Sequence, residues 1–296
     1  MSELPSRLAV LSVAVLTVIG SSAATGFTCT RTPALGPSVF WPDRSVVVHP
    51  LGGGFEVAAG SLVDVMVRAT ETWTAPSCSD ASISVGSPPQ QRVVGFNWHA
   101  GSGSPLNENI VVFRNDTPGD ELDRWVHTLG ALAITTVTFD TSTGRLLDAD
   151  IEINDVAFTF TACDPGSPGC EPAFDLENTL THELGHVMGL DHPPNDAPGA
   201  LEATMFASAS ETDTEKRSLA DDDIDGLCTL YPASSAEPGE CYGVGRARPA
   251  SITFDETLCA HGSAGARWAP IAALGGWLTL SRLRRRHLRV CAEPTP

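Results

Sequence analysis

The segment His182-Glu183-Leu184-Gly185-His186-Val187-Met188-Gly189-Leu190-Asp191-His192 has the spacing HExxHxxGxxH. Side chains four apart on a helix leave the same face about one turn apart, so His182 and His186 can reach a single ion. Two ligands hold zinc poorly. A third must come from chain that turns back, and Gly189 can adopt the left-handed conformation that ends the helix and brings His192 to the far side. Three neutral nitrogens leave the fourth tetrahedral position to water, which marks a catalytic rather than a structural zinc site. Glu183, beside His182, is then the candidate general base, taking a proton from that water and passing it to a leaving amine without a covalent intermediate. Histidines on a helix are often plain core residues, but the apolar stripe Leu180, Leu184 and Val187 points away from His182 and His186.

The elements that must carry this constellation show in the periodicity. The second helix begins near Asp175, a good N-cap, and runs to about Gly189. Before it, Leu62, Met66, Ala69 and Trp73 fall at helical spacing and predict a first helix ending ahead of Pro76. Strands are expected at 44–49, 83–85, 93–98, 110–114 and 134–140. Residues 150–154 alternate polar and apolar, as in a strand with one face buried and one wet. A third helix is announced by Ser218, with Asp221 as an imperfect capping box, and ends at Pro232. One helix among strands, then a second, indicates a mixed α and β layer structure.

With these residues in place, the motif resembles that of the metzincin metallopeptidases, and its wording is closest to the matrixin branch. Ala203-Thr204-Met205-Phe206 resembles the family's Met-turn, with Met205 beneath the metal. Residues 219–232 resemble the C-terminal helix, and 144–154 the edge strand that pairs with extended substrate. The likeness runs from about Thr30 to Pro232. It implies an α+β, metzincin-like zincin fold: a mixed twisted sheet, an active-site helix, a C-terminal helix and a cleft between two unequal lobes. It also implies a zinc-dependent endopeptidase acting on proteins or peptides, with His182, His186 and His192 as metal ligands and Glu183 as base. Calcium is possible, at no nameable residue. The loop from Met205 to Ser218 would shape the pocket for the residue after the scissile bond. Three features depart from the pattern. No Tyr stands two residues after Met205, the cysteine-switch sequence PRCGxPD is absent, and His49, His99, His127, His261 and His287 lack the spacing for a second, structural zinc. The rival reading is a non-catalytic adhesion or interaction module on the same scaffold.

Residues 1–24 read as a secretory signal, with Arg7, an apolar run from Leu8 to Ile19 and small residues at Ser22 and Ala24. Export permits disulfides among the eight cysteines. Cys163 with Cys170 is the best pairing, and Cys29 with Cys78 and Cys228 with Cys241 are weaker ones. The formal charge of −18 argues against nucleic-acid binding and for a solvated secreted surface. On this reading, residues 25–232 form the catalytic domain and 233–258 a linker. Residues 259–296 form a tail of Cys259, an apolar stretch from Trp268 to Leu280 and Arg282 to Arg286. That tail resembles the C-terminal sorting signals of myxobacterial surface proteins, which implies cell-surface or membrane attachment.

Overall fold

The computed structural model describes residues 26–241, apart from 52–55, 58–59, 91, 100–106, 169, 236 and 240, together with a strand at Asp255–Cys259. The expected signal at 1–24 and the tail beyond Cys259 lie outside the described residues. Six strands form the main sheet. In chain order they are β1 (Ser45–Leu51), β2 (Ser82–Val85), β3 (Asn109–Arg114), β4 (Ala131–Phe139), β5 (Leu146–Asn154) and β6 (Asp255–Cys259). Their spatial order is β6-β4-β5-β3-β1-β2. Neighbours are parallel from β2 to β5, and β4 and β6 run antiparallel to their partners. With helices α1 (Leu62–Thr74), α2 (Leu176–Val187) and α3 (Asp221–Leu230), this is the expected α+β arrangement.

Helix α1 starts where Ser61 and Asp64 form a reciprocal capping box, Ser61 Oγ accepting from Asp64 N at 3.2 Å. It stops at Ala75 because Pro76 cannot continue the ladder. Its buried face, Leu62, Val65, Met66, Ala69 and Trp73, packs on Val46, Val48, Ile83 and α2 in the main core. Each large side chain so buried contributes about 1.5–3 kcal/mol of transfer free energy. Trp73 also donates its indole N–H to Thr181 O at 2.7 Å, which fixes α1 against the middle of α2.

Five expectations are corrected. Residues 93–98 form no strand: Gly95 has φ +96°, and the N–H groups of Gly95 and Asn97 go to Asp150 and Asn107 side chains at 2.6 Å instead of to a ladder. Strand β5 is no edge strand, because β3 and β4 flank it on either side. Nor has it a wet face: Asp148, Asp150, Glu152 and Asn154 are all buried. Glu152 meets Arg114 at 2.7 Å and His127 at 2.9 Å, and Asn154 donates to Ala131 O at 2.8 Å, so loops and neighbours satisfy what solvent was expected to. Helix α3 begins at Asp221, capped at Ala220 by the Asp223 carboxylate (3.0 Å), while Ser218 lies in an extended turn before it.

The disulfides are the fifth. Cys163–Cys170 is present, but Cys29 joins Cys241 and Cys78 joins Cys228. Cys78 follows α1, where Ser79 bridges Pro232 and Ala233 N–H reaches Cys78 O, so it meets α3 rather than the chain start. Cys29 lies in a two-residue strand against Leu190–Asp191, and Cys241 N–H bonds Ser38 Oγ nearby.

Asp148 and Asp150 share one face of β5. Burial, and then the neighbouring Asp150 carboxylate, push the Asp148 carboxyl well above the usual range, and burial raises Asp150 as well. An acid with a raised folded pKa keeps a proton that the unfolded chain sheds, so its cost to stability grows as pH climbs above the ordinary carboxylate range. Asp148→Asn is therefore expected to raise Tm, by about 2–4 °C for each kcal/mol relieved. The gain should be larger at pH 8 than at pH 5. Calorimetry at the two pH values checks this, and a pH-independent or negative change counts against it.

Candidate active site

Helix α2 is buried along its whole length, all 12 residues, so its apolar stripe does not set the histidines apart by exposure. Their partners do. His182 Nδ1 lies 2.7 Å from Thr204 O and His186 Nδ1 lies 2.9 Å from Leu190 O. Carbonyls only accept, so both Nδ1 atoms carry hydrogen and both Nε2 lone pairs face the other way. The Nε2 atoms of His182 and His186 stand 3.0 Å and 3.2 Å from His192 Nε2. Nitrogens about 2.1 Å from one tetrahedral zinc would be about 3.4 Å apart, so the donor set fits that ion closely. Among the described residues this is the one group of three or more His, Cys, Asp or Glu side chains placed to hold a metal.

The electrostatics agree. Burial first, then the nearby Lys216 and the other two imidazoles, hold His182 well below its usual pKa, and burial and His192 bring His186 down to about 3. Neutral imidazole is the form that ligates.

The chain reverses where Gly189 takes φ +91°. A Cβ there would sit 2.6 Å from Val39 O, so space and backbone conformation both demand glycine. The last carbonyls of α2 are not left bare: Trp41 Nε1 donates to Val187 O at 2.7 Å and the Tyr231 hydroxyl to Met188 O at 2.8 Å.

Glu183 points toward β4, where the Thr135 hydroxyl donates to its Oε2 at 2.6 Å. Met205 is buried below α2. The Met205 turn is held by Asp223, whose carboxylate accepts from Thr204 N (2.7 Å) and Met205 N (3.0 Å). Thr204 is thus clamped so that its carbonyl can orient His182. Beside the turn opens a cavity of about 190 Å³ whose lining includes Ala203, Phe206, Ala209 and Lys216.

Of the residues picked out from the sequence, His182, His186 and His192 come together, Met205 lies under the helix at Gly185, and the Glu183 side chain turns to Thr135. Thr135, Asp223 and Lys216 also belong to the site and were not picked out, and Thr204 was named only within the Met-turn stretch. Thr135 is one β-branched residue in a strand full of them, and Lys216 reads as an ordinary surface lysine. Asp223 alone carried a signal, as one of three consecutive aspartates ahead of an apolar helix stripe.

A family model described as matrixin, peptidase family M10, matches residues 54–232. Metalloendoproteinase 1 of Glycine max is 46% identical over 59 residues, 20% of this chain and 17% of that protein. Neutrophil collagenase of Homo sapiens is 34% identical over 109 residues, 32% of this chain and 22% of that protein. Metalloendoproteinase 1-MMP of Arabidopsis thaliana is 36% identical over 77 residues, 26% and 20% of the two chains. The chain therefore covers only about a fifth of the length of these relatives.

Gly185 lies where α2 passes over the turn. A Cβ on it would stand 2.2 Å from Met205 Sδ and 2.8 Å from Trp73 Cζ2. Gly185→Ala is expected to cost about 1–3 kcal/mol by overpacking. Chemical denaturation measures the loss, and stability equal to the parent would refute the close packing of Met205 under the helix.

Proposed function

Since the chain belongs to the matrixin family, we propose that it is a zinc-dependent endopeptidase that hydrolyses internal peptide bonds of proteins or peptides, with His182, His186 and His192 holding the metal and Glu183 as general base. The observation that carries this reading is the convergence of the Nε2 atoms of His182, His186 and His192, two of them on the helix that also bears a carboxylate oriented by Thr135. Zinc, when bound, supplies a water acidic enough to react near neutral pH and a Lewis acid for the scissile carbonyl.

The residues do the rest. Thr135 fixes one oxygen of Glu183, so the carboxylate enters the reaction without first finding its rotamer. Glu183 takes the proton of the attacking water and delivers it to the departing amine, which would otherwise leave as a poor anion. Thr204 O and Leu190 O keep His182 and His186 in the ligating tautomer. Asp223 supports that arrangement from below through the Met205 turn.

Export is part of the proposal. Three disulfides, two of them spanning 212 and 150 residues, suit an oxidising compartment. The tail is read as an attachment or sorting segment.

Two variants test the assignment. Glu183→Gln should keep one zinc per chain yet lower kcat on a quenched peptide by about 10²–10⁴-fold, the range for loss of a general base. His192→Ala should lose the metal as measured by atomic absorption. Peptidolysis that survives Glu183→Gln, or parent protein that holds no zinc, ends the reading.

A further inference from the structure

Without β6, β4 would end the sheet, and its outer row of N–H and C=O groups would be open to any extended chain. The inner row is already held by β5, which pairs with β4 from Ala133 to Phe139. This outer edge lies beside the proposed chemistry, because Thr135 of β4 donates its hydroxyl to Glu183 Oε2 at 2.6 Å. A peptide laid along β4 at Thr135 would run about 4.8 Å from the strand that orients the base. Main-chain pairing there would hold a chain extended whatever its side chains, as an endopeptidase requires. An incoming peptide can pair with β4 only on this side.

That side is taken. β6 runs antiparallel to β4, with Asp255 opposite Thr136, Glu256 opposite Thr135, Thr257 opposite Ile134 and Cys259 opposite Ala131. It is a weak occupant. It has five residues, its register slips between Thr257 and Cys259, and Asp255 and Glu256 are types that strands disfavour. Among the described residues only β4 pairs with it. A substrate backbone would offer β4 the same bonds, so exchanging one strand for the other costs little in hydrogen bonding. What favours β6 is its tether: it follows Cys241, which the bridge to Cys29 fixes to the domain, so its effective concentration at the edge is of the order of millimolar. We propose that residues 255–259 are an internal competitor of substrate, docked on the outer edge of β4 as an extended, substrate-like strand that a protein substrate must displace. The inference rests on the peptidase reading above, and it adds a means of latency within the chain's own residues.

The test uses the full chain loaded with zinc, as wild type and as the double variant Glu256→Pro/Thr257→Pro. Of two adjacent residues in an antiparallel pair, one turns its N–H to the partner, so one of the two prolines removes a bond to β4. On a quenched extended peptide the double variant should show a KM lower by about tenfold or more, with kcat and zinc content unchanged. A synthetic peptide of residues 252–260, carrying Cys259→Ser so that no thiol can bind the metal, should raise that KM again as a competitive inhibitor, and a scrambled peptide should not. Equal KM values in the two proteins overturn the proposal. So does mass spectrometry that finds wild type cut within 255–259, since the segment would then be a substrate. If neither zinc-loaded protein cleaves, the peptidase reading fails on its own. Fluorescence anisotropy of the labelled 252–260 peptide then decides the role of β6: binding to the double variant tighter than to wild type by about tenfold or more supports it, and equal binding refutes it.

Discussion

Three imidazoles can share one point only if each turns the same nitrogen toward it, and here that choice is made by backbone carbonyls behind the rings. Thr204 O and Leu190 O accept from Nδ1 of His182 and His186, and the rest of the structure can be followed outward from those two bonds. Thr204 is where it is because Asp223, at the start of α3, holds the turn by two N–H groups. Leu190 is where it is because Gly189 permits the reversal and Cys29 pairs with it across a short strand. The proposed metal site of three side chains thus draws on four separate stretches of chain. Moving any of them tilts a ring rather than removing a ligand.

The same arrangement shows how a helix with so many polar groups can be buried on every side. Thr179 and Thr181 return their hydroxyls to the carbonyls of Asp175 and Glu177 at 2.9 and 2.8 Å. Asn178 accepts from Lys216 N–H, and the N-cap Asp175 receives the Arg217 guanidinium at 2.6 Å. Burial unmatched by such bonds would cost about 1–3 kcal/mol per group. Matched, it makes α2 a rigid platform, and rigidity is what a site needs if its groups are to be in place before substrate arrives.

What could be read in advance was local. Helix α1 announced itself by spacing and by Pro76, and α2 by Asp175 and the glycine that ends it. The three histidines proposed to hold the metal stood out because they fall within eleven residues and their geometry is that of one helix and one turn. What escaped was set by distant chain. The alternation at 150–154 does signal a strand, but nothing in it shows that loop residues such as Gly95 and His127 roof its polar face. Ser218 and Asp221 have the letters of a cap, yet the helix starts where Asp223 can serve both Ala220 and the Met205 turn, a double duty visible only in three dimensions. The local pair Cys163–Cys170 held, but Cys29 with Cys78 and Cys228 with Cys241 failed for the same reason, because the fold returns the end of α3 to α1 and the chain beyond it to Cys29.

The Cys29–Cys241 bridge brings the chain ahead of β1 and the chain after α3 within 5.7 Å, Cα to Cα. A pull between chain preceding Cys29 and chain following Cys241 first draws on β6, which lies beyond Cys241, and is then borne by a covalent bond, with strands β1 to β5 and the histidine platform on a closed loop off the line of force. If the flanking segments are anchored, sheared or dragged, the tension bypasses the core, and the domain stays folded until the disulfide itself is reduced.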